Sequence, residues 1–250
     1  PGGPATLRCT SSVADPDWFV LAPVPAPAVQ PADLVIRQGT SGAFAGEGVY
    51  QVQPTDSQWV SQTVTSTAVF QVQVQNDGTS ATNLTLRAAD DAGVGWLATI
   101  KAGEVDITAQ MMSSTGYLLP EVAPGGTATF TLELKPGRVT PFGASNALIV
   151  AVFTDGEFTS PLDSVRAVAV AGDLIQPDLT VQREFDANPA GDDIFNGTGA
   201  NQQRRIEVEA GSSATFISQL FNDGNSPQSF SLKSVAPPAG WTVRHELSRV

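Results

Sequence analysis

Apolar and polar residues alternate strictly through Phe70-Gln71-Val72-Gln73-Val74-Gln75. A period of two belongs to a strand with one face buried and one face wet. The run ends in Asn76-Asp77-Gly78, a turn signal made of residues that tolerate positive φ. The same figure returns as Phe216-Ile217-Ser218-Gln219-Leu220-Phe221, closed by Asn222-Asp223-Gly224.

Further runs read as strands by the same pattern. Residues 33–37 are short and apolar. Residues 82–87 place Leu84 and Leu86 on one face, and 96–101 do so with Trp96, Ala98 and Ile100. Residues 104–109 put Val105, Ile107 and Ala109 together, and 127–134 put Ala128, Phe130, Leu132 and Leu134 inward. Residues 147–153 are apolar on both faces, which predicts a central strand. Residues 164–170 close the unit. Gly, Pro and Asp punctuate the runs, as in Ala123-Pro124-Gly125-Gly126 and Lys135-Pro136-Gly137. No sustained helical period is present. The pattern predicts an all-β fold of antiparallel sandwiches.

Landmarks repeat at one spacing. Asp33-Leu34 returns as Asp178-Leu179, Gly46 as Gly191, Val49-Tyr50 as Ile194-Phe195, and Gly95-Trp96 as Gly240-Trp241, all at a shift of 145. Asn76-Asp77-Gly78 returns at 146. Tandem copies of one sandwich follow. The expected layout is a Pro/Ala-rich segment over 1–32, a complete repeat over 33–172, a short linker at 173–177, and the first half of a second repeat over 178–250. The sequence holds no second copy of residues 106–170. A half-sandwich exposes the inner face carrying Phe216, Leu220, Phe230 and Leu232. Either a longer array continues the repeat, or another chain supplies strands by strand addition. Trp18, Phe19, Val20 and Leu21, beside the polyproline-like 22–28, are the candidate donor.

Composition narrows the partners. The 250 residues carry a net charge of −12 and only 15% charged side chains. Lys101, Lys135 and Lys233 are the only lysines. Phosphate binding needs clustered Lys and Arg, so nucleic acid is excluded as an expected partner, and so are anionic membranes. The acidity reads chiefly as solubility, with calcium as the sharper alternative. Cys9 stands alone, so no internal disulfide is expected. No apolar run reaches the ~20 residues of a membrane helix, so no membrane insertion is expected. No signal peptide is visible and the chain starts at Pro1 without a Met, so it reads as processed or as a window on something longer.

Asn76-Asp77-Gly78, Gly95-Trp96 and Pro124-Gly125-Gly126-Thr127-Ala128-Thr129-Phe130 resemble bacterial cell-surface sandwich repeats of the CARDB and NPCBM-associated type. Gly191-Asp192-Asp193-Ile194-Phe195-Asn196, with Thr198-Gly199 and Gln202, resembles a longer variant found in tandem in very large secreted proteins. Asp163-Ser164-Val165-Arg166-Ala167 fits its closing strand. The resemblance spans 33–250 and implies an Ig-like fold, a secreted or cell-surface location and a spacer, stalk or accessory role. Fold alone does not fix function.

Candidate chemistry is sparse. His245 is the only histidine, and a nucleophile device would need it beside a Ser or Cys and an orienting acid. Trp96 and Trp241 follow glycine at equivalent positions, which suits plugs between sheets. Trp59 is the candidate exposed ligand contact. Asp90-Asp91 and Asp192-Asp193 are paired carboxylates without the Asp-x-Asp-x-Asp-Gly spacing of a calcium loop. Gly46-Glu47-Gly48 and Gly197-Thr198-Gly199 precede no helical pattern and read as turns. The expectation is a non-catalytic structural module that packs head-to-tail with copies of itself or neighbouring repeats. The alternative is a carbohydrate-binding or adhesive module that takes up polysaccharide. No cofactor is expected.

Overall fold

A computed structural model describes the backbone of residues 5–8 and 18–21, and residues 32–91, 93, 95–156 and 158–247 in full. Cys9, the 22–28 stretch and the side chains of Trp18, Phe19, Val20 and Leu21 lie outside the described residues. The elements run β1 (Ala5–Arg8), β2 (Trp18–Leu21), β3 (Ala32–Gln38), β4 (Trp59–Val64), β5 (Ala68–Asn76), β6 (Thr82–Asp90), β7 (Trp96–Ala102) and β8 (Val105–Asp106). Then come α1 (Thr108–Met111), β9 (Tyr117–Val122), β10 (Thr127–Pro136), β11 (Ser145–Thr154), β12 (Asp163–Ala171), β13 (Pro177–Arg183) and β14 (Phe216–Asn222). The chain divides into two compact units, 1–172 and 173–250.

The first unit holds two five-stranded sheets, ordered β3-β5-β10-β7-β8 and β4-β12-β11-β6-β9. β5 alternates as its sequence demands, with Ala68, Phe70, Val72 and Val74 buried and the glutamines turned outward. Phe70 stands opposite Leu132, and Val72 opposite Phe130. These side chains meet Leu84, Leu86, Val150, Val165 and Ala167 of the other sheet in one core. β11 lies at the centre of its sheet, as its two apolar faces require. β1 and β2 pair as a separate antiparallel hairpin.

The pattern and the structure part in three places. β4 pairs with β12 in parallel, the single parallel ladder among the described strands. The chain changes sheets between β3 and β4, so β4 arrives alongside β12 in the same direction. β4 and β9 are strands that the pattern did not single out. Residues 104–109 are not one strand. The ladder stops at Asp106, whose Oδ1 accepts the Thr108 N–H (2.9 Å) and Oγ1–H (2.6 Å). That local cap starts a single helical turn. Ile107 stays buried, Val105 and Ala109 are exposed, and Met111 fills the core instead.

In the second unit β13 and β14 pair antiparallel, with Leu179 opposite Leu220 as Leu34 is opposite Val74. Residues 203–209 alternate half-buried and exposed positions but belong to no ladder. The segment 173–176 is bonded to the turn after β14. The Leu174 N–H reaches Asn225 Oδ1 at 2.8 Å, and the Asp223 N–H reaches the Gln176 carbonyl at 2.8 Å.

Candidate functional site

Each repeat begins with the same local device. In the first, β3 forms an antiparallel bridge from Ile36 to Ala45. Asp33 Oδ2 accepts the Gly48 N–H at 2.7 Å. Gly46 lies between them at φ +101°, and a Cβ there would meet the Leu34 carbonyl at 2.9 Å. In the second, Val181 bridges Ala190, and Asp178 Oδ2 accepts the Asp193 N–H at 3.0 Å. Gly191 has φ +106°, and its Cβ would meet the Leu179 carbonyl at 2.7 Å. Asp193 takes φ 58° where the first copy has Gly48.

The first repeat adds a closing acid. Asp163, at the start of β12, is buried. Its Oδ2 accepts the Leu34 N–H (2.7 Å), and its Oδ1 accepts the Gln51 N–H (2.9 Å) and Gln58 Nε2–H (2.6 Å). Gln58 Nε2 also donates to the Val49 carbonyl at 2.8 Å. Burial pushes the Asp163 carboxyl up, against the pull of these donors. Asp33 is pushed up to about 6 by burial, opposed by the Gly48 N–H and reinforced by the Asp163 charge. Pattern reading missed Gln58, a fully buried amide. The signal was its return as Gln202, whose Nε2 donates to the Ile194 carbonyl.

The second repeat keeps the aspartate, the glycine turn and the glutamine of this device. The N–H of Val181 points away from β14 to Ala190. Alternate N–H groups of a strand share a side, so that of Leu179 points the same way. No acceptor meets it among the described residues. Gln202 keeps a second amide hydrogen beyond the one given to Ile194.

The candidate assembly residues lie on the same open unit. Phe216 is 43% exposed and Leu220 41%, whereas their counterparts Phe70 and Val74 are fully buried. Leu232 is exposed and Phe230 half-buried. A hollow of about 640 Å³ opens between Arg183, Phe185, Arg205, Ile206 and Glu207. Ile217 and Phe221 are exposed on the opposite face of β14, where β5 carries glutamines.

The other candidates fall elsewhere. Trp59 lies on β4 opposite Arg166 and is 40% exposed. Trp96 packs half-buried against the core, but Trp241 is exposed, so the plug expected at both positions forms only in the first copy. His245 is exposed and reaches Ser234 Oγ at 3.1 Å, with no carboxylate bonded to it among the described residues. Asp91 pairs with Arg166 at 3.2 Å. Among the described residues no group of three His, Cys, Asp or Glu converges as a metal site. Among the described residues no helix is long and apolar enough to cross a membrane.

These features define an all-β protein of antiparallel sheets, with a β-sandwich in the first unit and, in the second, a strand hairpin whose register repeats that of β3 and β5. No protein-family model and no curated protein matches the chain. Among solved structures it is similar to domains 4 and 5 of the S-layer protein SbsC, at 13% identity and a TM-score of 0.28. That match covers 68% of this chain and 66% of the other. A PapD-like domain of human CEP192 matches at 11% identity and a TM-score of 0.28, covering 65% of this chain and 97% of the domain. A family 123 glycoside hydrolase from Clostridium perfringens matches at 10% identity and 0.31, covering 48% of this chain and 24% of the enzyme.

Proposed function

We propose that the chain is a non-catalytic structural module of a secreted or cell-surface protein, and that it assembles head-to-tail through strand pairing. One observation carries this reading. The face that holds the first repeat together is buried, while the equivalent face at Phe216 and Leu220 is open. Apolar surface removed from water contributes ~25 cal/mol per Å², so covering that face is a driving force for association. Phe216, Leu220, Phe230 and Leu232 form the acceptor, and β2 (Trp18–Leu21) is the proposed donor strand. The partners are copies of the chain or neighbouring repeats. Sedimentation velocity over a concentration series tests this. Mass should rise above one chain, and Phe216→Asp should return it to one. A single-chain mass at the highest attainable concentration would overturn the reading.

The exposed ring of Trp59 supports a second reading, a polysaccharide contact. Polysaccharide pull-down decides it, with retention lost in Trp59→Ala as the supporting outcome.

A further inference from the structure

We infer that Asn196 is a self-modifying site: the Gly197 amide closes on the Asn196 side chain, ammonia leaves, and the loop gains a carboxylate as aspartate or isoaspartate. The inference stands apart from strand pairing and uses only the loop 196–200.

Asn196-Gly197 is the only Asn-Gly pair in the sequence. Glycine has no Cβ to hinder its own backbone nitrogen. The Gly197 N–H donates to no acceptor among the described residues, so the nucleophile is free. The electrophile is held. Asn196 Oδ1 accepts the Thr198 N–H at 3.1 Å and the Thr198 Oγ1–H at 2.9 Å. Asn196 Nδ2 donates to the Ala200 carbonyl at 3.1 Å, and the Ala200 N–H reaches Thr198 Oγ1 at 3.4 Å. Attack on Cγ moves negative charge onto Oδ1, where two donors already converge. Donors placed where charge develops lower the barrier.

The step balances without a redox partner. Gly197 N loses its proton to solvent hydroxide and bonds to Asn196 Cγ. The Cγ–Nδ2 bond breaks, and Nδ2 departs as ammonia. Water opens the resulting cyclic imide at Cγ to give aspartate, or at the backbone carbonyl to give isoaspartate. The net change is amide plus water to carboxylate plus ammonium.

The matching positions lack this combination. Asn76 and Asn222 accept the Gly78 and Gly224 N–H groups in turns of the same kind, but an aspartate follows each of them. The first repeat has Gln51-Val52 in place of Asn196-Gly197, a longer side chain against a branched neighbour. Gln51, Val52 and Gln53 are exposed in that repeat, which has both its sheets, as Asn196, Gly197 and Thr198 are in the second. The loop is therefore open by its place in the repeat. Conversion replaces the amide that holds the Ala200 carbonyl with a carboxylate, which releases the loop there and adds a negative charge.

The test incubates the full chain at mildly alkaline pH, then maps its peptides by mass spectrometry with enzymatic methyl-labelling of isoaspartate. Asn196 should convert while Asn76 and Asn222 remain amides. Conversion should be faster in the folded chain than in a free peptide of residues 193–202, because the fold keeps the donors on Oδ1. Thr198→Val keeps the backbone donor and removes the hydroxyl, and it should slow conversion about threefold or more, the worth of one hydrogen bond. Gly197→Val should slow it further, and the fold admits it, since a Cβ there meets nothing within 4 Å. Conversion no faster in the chain than in the peptide, or unchanged in Thr198→Val, would overturn the inference.

Discussion

Asp163 Oδ2 accepts the Leu34 N–H at 2.7 Å across 129 residues of sequence. The first strand of the sandwich is thereby fastened to the last. The bond crosses between the two sheets, because β3 belongs to one and β12 to the other.

Asp163→Ala should therefore destabilise the first unit more than an ordinary surface change. It leaves the Leu34 N–H, the Gln51 N–H and one Gln58 amide hydrogen facing a small apolar side chain. Breaking a buried charged contact of this kind costs about 3 kcal/mol or more. Urea denaturation followed by circular dichroism measures it. A loss under about 0.5 kcal/mol would show that water replaces the carboxylate at no cost.

The acid pair also sets a pH dependence. Asp33 titrates near pH 6 in the folded protein against 3.8 for the free side chain. Between those values the folded state binds more protons than the unfolded state, so stability falls as pH rises through the window. Asp163 is shifted in the same direction. The first unit should lose up to about 2 kcal/mol from Asp33 between pH 4 and pH 6 relative to Asp33→Asn. Thermal melts of both proteins over that range give the difference. A difference that does not change with pH would contradict the buried, unpaired Asp33 Oδ1 as its origin.

Much of this fold was legible because its core strands obey a simple period. Phe70, Val72 and Val74, and Phe130, Leu132 and Leu134, are buried where alternation puts them. The second copy was legible from spacing, and its β13–β14 register repeats that of β3–β5. Gln58 was not legible, because its burial depends on Asp163, 105 residues away. Residues 104–109 misled because the Asp106 cap on Thr108 outweighs their apolar alternation. Trp241 could not be placed by analogy with Trp96, since a plug needs two sheets and the second copy holds one hairpin.

Gly46 and Gly191 should be equally intolerant of a side chain. Each has a φ near +100° and a strand carbonyl under 3.0 Å from its would-be Cβ. Backbone strain alone costs about 1–3 kcal/mol for a non-glycine residue in such a conformation. Gly46→Ala should lower the urea midpoint of the first unit. Gly191→Ala should speed amide exchange at Val181 and Ala190, whose bridge it props. Protection of those two amides that survives Gly191→Ala would mean that the bridge forms without the glycine turn.

Phe70 and Phe216 occupy one position of the repeat in opposite environments, and alanine substitution should separate them. Phe70 is fully buried opposite Leu132, so Phe70→Ala removes a ring from a closed core and should cost about 3–5 kcal/mol. Phe216 is 43% exposed on a hairpin whose inner face meets no second strand layer. In dilute solution Phe216→Ala should change stability by no more than about 0.5 kcal/mol. At concentrations where chains associate, the same ring becomes interfacial, and its loss should weaken association. Denaturation at low concentration and sedimentation at high concentration measure the two halves. A Phe216→Ala chain as unstable when dilute as Phe70→Ala would mean that the second unit buries this face within one chain. Acceptance of a strand at that face would then have to be abandoned.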